Sequence, residues 1–108
     1  IMTVFTLTQN DTSPPIGGNV TGERGEVIDA TGCSVRFMMK PIGGDSLVVD
    51  DEGQVIDGPN GVVGYGWKAA DTAEQGTFQA EFELTWPDGT VETFPSESLT
   101  VIIKPDLG

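Results

Sequence analysis

Residues 62–94 read VVGYGWKAADTAEQGTFQAEFELTWPDGTVETF. Within them Phe78, Ala80, Phe82, Leu84 and Trp86 alternate with Gln79, Glu81, Glu83 and Thr85. A period of two gives a strand one buried face and one wet face. Trp86-Pro87-Asp88-Gly89 then turns the chain. Proline presets φ for the first turn position, aspartate suits the next, and glycine tolerates positive φ after them. Upstream, Val63, Tyr65 and Trp67 share one face of another strand, residues 62–68. Strand, corner, strand, tight turn, strand is the pattern of an antiparallel sandwich.

Working outward, residues 3–8 form a first strand with Phe5 and Leu7 inward, and residues 10–15 a turn-rich break. Residues 17–22 form a weak strand, and 26–29 continue extended. Residues 34–40 are a strong strand, with Val35, Phe37 and Met39 alternating against Ser34, Arg36, Met38 and Lys40. Two short strands, 47–49 and 54–56, flank a turn that carries Asp50-Asp51-Glu52. After the hairpin strand at 90–94, Pro95 interrupts the last strand, which resumes over 99–104. Eight or nine strands separated by turn signals predict an all-β fold. Residues 68–75 are the one helix candidate, and they lack an apolar stripe. No crossover helix is available for a parallel βαβ unit. Phe37, Trp67, Phe78, Phe82 and Leu84 are the expected core.

The chain has 108 residues, read as one domain spanning 1–108. That length buries about 65% of the unfolded surface, so neither a metal nor a disulfide is needed for stability. Cys33 is the single cysteine, so no intramolecular disulfide forms, and it reads as a small hydrophobe at a strand start. The formal net charge is −12. Phosphate backbones and anionic membrane surfaces are repelled by such a chain, which argues against nucleic-acid and membrane partners. No run of 18 apolar residues occurs, so nothing spans a bilayer as a helix. The start shows neither a basic region nor the apolar run of a secretory signal. The acids read as a solubility device that also discourages edge-to-edge pairing.

Catalytic chemistry finds little to work with. Zero histidine removes most acid–base, triad and zinc arrangements. Neither a nucleophile elbow nor a phosphate-binding loop motif is present. Glu81 and Glu83 stand two apart on one strand face and point at water. Asp45, Asp50, Asp51, Glu52 and Asp57 carry oxygens that suit calcium, but their spacing matches no EF-hand loop, so they read as solvated turn acids. The expectation is no enzyme, no cofactor and no metal.

Asp71, Gly76 and Phe78 mark a corner before the long strand. Immunoglobulin-like sandwiches place an aspartate, a glycine and a tyrosine at such a corner. Here the spacing is one residue longer, and Phe78 lacks the hydroxyl that would bond backbone. Asp71 is left to tie down the loop through its carboxylate.

Four stretches carry a wider resemblance. They are Asp29-Ala30-Thr31-Gly32-Cys33-Ser34-Val35-Arg36-Phe37-Met38-Met39, Gly61-Val62-Val63-Gly64-Tyr65-Gly66-Trp67, Gly76-Thr77-Phe78-Gln79-Ala80-Glu81-Phe82-Glu83-Leu84, and Asp88-Gly89-Thr90 with Glu92-Thr93-Phe94-Pro95. In order and spacing the chain resembles the amino-terminal domain of phage baseplate upper proteins and related small phage virion proteins. The resemblance implies an antiparallel immunoglobulin-like β-sandwich, found in the virion, that docks onto other virion structural proteins in a symmetric multi-copy assembly. Baseplate upper proteins continue into coiled-coil and carboxy-terminal regions that this sequence lacks. A tail or baseplate subunit, a head–tail subunit and a capsid decoration protein therefore all fit. A different reading is a cell-surface or carbohydrate-binding module, with Tyr65, Trp67 and Trp86 as a sugar platform, although their inward phase favours the core. The candidate assembly interface comprises the apolar residues at outward strand positions: Met2, Val4, Met38 and Ile102.

Overall fold

The computed structural model describes residues 3–107, with residues 3 and 95–98 described through the backbone alone. Among these residues eight strands form two sheets. They are β1 (Thr3–Thr8), β2 (Ile16–Asn19), β3 (Ser34–Pro41), β4 (Val49–Glu52), β5 (Gln54–Asp57), β6 (Val62–Tyr65), β7 (Gly76–Thr85) and β8 (Val91–Lys104). The larger sheet has the order β1-β8-β7-β3-β4, and the smaller β2-β6-β5. Among the described residues there is no α-helix; Ala69–Thr72 make a single 3₁₀ turn. The fold is mostly β and sandwich-like.

It departs from an all-antiparallel reading at one place. β1 runs parallel to β8, from Thr3 opposite Leu99 to Thr8 opposite Lys104. Strands joined by a tight turn must be antiparallel, whereas these two are separated by nearly the whole chain and are free to align. The sheet is therefore mixed.

Three further expectations change. The acidic run Asp50-Asp51-Glu52 lies within β4, where the reading placed a turn after a strand at 47–49. Its charges are carried on a strand because Arg36 and Lys68 neutralise two of them. The strand expected at 17–22 is shorter and earlier, at Ile16–Asn19. Pro95 does not end the last strand. Ala80 pairs with Leu99 and Phe82 with Phe94, so residues 95–98 stand opposite Glu81 alone and the register shifts there. A bulge of this kind tolerates a proline, which has no N–H for the ladder.

The strongly alternating strands behave as read. Val35, Phe37 and Met39 of β3 face inward with Phe78, Ala80, Phe82 and Leu84 of β7. Leu7 of β1 and Leu99, Val101 and Ile103 of β8 complete that face. Ile16, Val63 and Tyr65 line the opposing sheet. All five residues expected in the core are buried. Phe37 lies at their centre, stacked on Tyr65 with ring centroids 4.6 Å apart and edge-on to Trp67 at 5.5 Å. Phe82 meets Phe37 at 5.1 Å.

Two local devices hold the ends. In the β7–β8 hairpin, Gly89 N–H donates to Trp86 O and Trp86 N–H to Thr90 O, both at 2.8 Å, while Asp88 accepts from the Thr90 backbone and hydroxyl. Gly89 has φ +91°, as the turn requires. At the corner before β7, Asp71 Oδ2 accepts the Tyr65 hydroxyl at 2.5 Å and the Lys68 N–H at 2.8 Å. The hydroxyl that Phe78 lacks is supplied by Tyr65, at the end of β6 in the opposing sheet. Burial, with Asp71 beside it, raises the Tyr65 phenol well above its ordinary range.

Truncating Phe82 to alanine removes a ring that is 1% exposed. The expected loss is about 3–5 kcal/mol by chemical denaturation; a loss below about 1 kcal/mol would place the ring outside the core. Tyr65→Phe keeps the stack on Phe37 and deletes only the bond to Asp71. It should cost about 1.5 kcal/mol or more, the range for a hydrogen bond to a charged group.

Candidate docking surface

The outward face of the larger sheet divides into an acidic half and a half that bears no acid around Val4 and Ile102 and ends at Lys104, opposite Thr8. On the β3–β4 side, Arg36 Nε and Nη2 hold both oxygens of Asp50, at 2.6 and 2.7 Å. The same guanidinium reaches Glu83 of β7 at 3.6 Å. One cation thus ties three adjacent strands. Hydrogen bonds from Arg36 hold the Asp50 carboxyl below its usual range. Asp51 points to the other face of β4 and is paired with Lys68, which lowers its carboxyl in the same way.

On the β1–β8 side, Val4 stands opposite Thr100 and Thr6 opposite Ile102. Thr100 in turn faces Gln79, and Ile102 faces Thr77. These six side chains carry no charge. Val4 is 49% exposed, Ile102 is half-buried and Thr100 between them is buried.

The structure therefore brings two members of the expected interface together and separates a third. Val4 and Ile102 lie on neighbouring strands of one face. Met38 shares that face but sits on β3, between Asp50 and Glu81, with β7 separating it from β8. It belongs to the acidic half. Met2 lies outside the described residues. Of the two terminal strands, β1 is an edge of the sheet and β8 is not.

A second apolar area was not read from the sequence. The outer side of the smaller sheet carries a shallow depression of about 520 Å³. Its floor is bare backbone where Gly17 pairs with Gly64, and Ile56, 61% exposed, forms one wall. The signal was there in the glycines at 17, 64 and 66, which lie on strands or strand ends rather than in turns.

The aromatic residues considered for a sugar platform do not form one. Tyr65 and Trp67 are buried in the core, and Trp86 packs half-buried against it. The indole N–H groups of Trp67 and Trp86 are enclosed without hydrogen-bond partners, so neither offers a polar handle to a ligand. The acids considered for calcium are likewise dispersed: Asp50 and Asp51 face opposite sides of β4, and no cluster of three metal-binding side chains occurs among the described residues. Cys33 is half-buried at the start of β3, and burial raises its thiol pKa. That disfavours the nucleophilic thiolate.

No family model matches the chain. No curated protein matches it either.

An acid whose folded pKa is lowered stabilises the fold above its unfolded value, 3.8 for Asp50, and loses that contribution as pH falls through the folded value. Melting temperatures should therefore drop as pH is lowered below about 4. Asp50→Asn should flatten part of that drop while leaving the neutral-pH fold intact. An unchanged acid limb would show that the Arg36 pair makes no contribution to stability.

Proposed function

We propose that this chain is a non-enzymatic structural protein of a phage virion, an immunoglobulin-like subunit that works by docking onto other virion proteins. Tail, baseplate and head–tail positions all suit such a subunit. The immunoglobulin type is supported by the strand order, in which β2-β6-β5 packs against a sheet centred on β3, β7 and β8, with the first strand beside the last. The aspartate-centred corner before β7 supports it too. The virion role is supported by the resemblance of four stretches to baseplate upper proteins and their small relatives.

The observation that carries the docking role is the acid-free patch around Val4 and Ile102. In a chain of net charge −12, the sheet surface around Val4, Thr6, Thr77, Gln79 and Ile102 bears no acid, so a neighbour can approach it without desolvating one. Single exposed apolar side chains are ordinary on monomers, and several occur in the loops here. Val4 and Ile102 differ because they adjoin on rigid, hydrogen-bonded strands.

Mass spectrometry of purified particles tests the role: the protein should be present at a fixed copy number, and its absence from particles would overturn the proposal. Ile102→Glu tests the surface. It should fold as before and fail to enter particles, whereas normal incorporation would exclude this face.

A further inference from the structure

Two open sheets have four edges, and natural edges carry charge, proline, bulges or extreme shortness to stop another chain adding a strand. Three of the edges here are guarded. β4 carries Asp50-Asp51-Glu52. β5 ends in Asp57, and its ladder to β6 shifts register between Val55 and Asp57. β2 has only four residues, two of them glycine, and follows Pro14-Pro15. β1 has none of these devices. Its six residues, Thr3-Val4-Phe5-Thr6-Leu7-Thr8, contain no charge, proline or glycine and keep unbroken register with β8.

The hydrogen-bond directions along β1 follow from its end. Gln9 N–H donates to Lys104 O at 2.8 Å, so Gln9 turns toward β8. Thr8 O accepts from Asp11 N–H at 3.0 Å, on the other side. N–H and C=O of one residue point the same way, and those of the next point oppositely. Phe5 and Leu7 therefore bond β8, while Val4 and Thr6 direct their backbone groups to the open edge. Among the described residues no strand pairs with that edge.

We propose that this edge pairs with β1 of a second copy, antiparallel about a two-fold axis, making one sheet continuous through both molecules. The self-complementary spacing of Val4 and Thr6 along the open edge selects a second copy as the occupant, and charge selects where two copies can meet. Two molecules of net charge −12 repel over most of their surface. The β1 edge is a seam where they meet without setting acid against acid; beside it on the outer face Thr100 and Ile102 are uncharged, and Lys104 at its end is a cation. Val4 of one copy falls opposite Thr6 of the other, each pair exchanging both N–H···O bonds about a Phe5–Phe5 centre. The contact is self-complementary and uses β1 once in each copy, so it closes as a dimer and leaves only guarded edges outside. The virion reading is not needed for this inference; the edge chemistry alone carries it.

Sedimentation equilibrium of the purified chain tests it, with circular dichroism as the check on folding. The wild-type chain should show a reversible monomer–dimer equilibrium. Thr6→Pro removes an N–H that faces the open edge and spares the β8 ladder, so it should be folded and monomeric at every concentration. If that proline disrupts the strand, a paired substitution decides. Val4→Lys with Thr6→Lys sets amine against amine in both cross-seam pairs and should abolish the dimer. Val4→Lys with Thr6→Glu sets amine against carboxylate and should restore it. A wild-type chain that stays monomeric up to millimolar concentration overturns the proposal, as does a double-lysine variant that dimerises like wild type. Failure of the mixed variant to restore the dimer overturns the register, and open-ended polymers overturn the closure.

Discussion

Phe82 fixes how the two sheets meet. Its ring lies against Gly18 of β2, where an added Cβ would sit 3.2 Å from the ring edge. A side chain at that position would push the smaller sheet away from the larger, or force the ring out of its rotamer. Phe82 also leans on Phe37, and Phe37 carries the stack on Tyr65 and the edge contact with Trp67. One close approach thus propagates from β2 through β7 and β3 to β6. Tyr65 then passes the constraint outward, because its hydroxyl is the anchor for Asp71 and for the 3₁₀ turn that leads into β7. Thr72 of that turn is fully buried and donates to Asp11 O, tying the end of β1 to the same corner.

The acids serve several separate purposes that composition alone merges into one. Asp88 and Asp29 lock turns through hydrogen bonds from Thr90 and Thr31, which lower their pKa values. Asp71 organises a corner. Asp50 and Asp51 neutralise Arg36 and Lys68 on opposite sides of one edge strand. What is left over on β4 and β7 makes half of the outer face hydrophilic and repels like-charged neighbours. Only five basic residues are present, so most of the negative charge is uncompensated and is borne by solvent-facing positions. The cost of that repulsion falls on any assembly, which concentrates association wherever the acids are missing.

Period-two alternation made β3, β7 and the hairpin legible, because inward and outward positions on those strands differ sharply in polarity. The core followed from the same phase. Three features were hidden because their causes lie far away in sequence. The acidic run reads as a turn until Arg36, fourteen residues earlier, and Lys68, seventeen later, are brought beside it. The parallel alignment of β1 with β8 has no local signal at all, since it is set by which strands remain unpaired once the hairpins have formed. Pro95 reads as a stop because the bulge that accommodates it depends on the register of β7. The outward apolar residues were half legible for a related reason: phase places Val4, Met38 and Ile102 on outward positions, but strand order decides which of them adjoin.

Strand order also explains why the uncharged patch and the unguarded edge coincide. A strand that joins a sheet by parallel pairing at its border bonds on one side only, and β1 does so beside β8. β8 itself is screened by β1 and β7, so its outward residues Thr100 and Ile102 need no charge to prevent edge pairing. β1 has no such screen. Its lack of charge is therefore not inherited from a protected position, and it contrasts with β4 at the opposite border of the same sheet, which is acidic at three consecutive residues. Both borders present one unpaired strand side, β1 from a six-residue parallel strand and β4 from a four-residue antiparallel one. Their difference in sequence follows if one border is kept from pairing and the other is left able to pair.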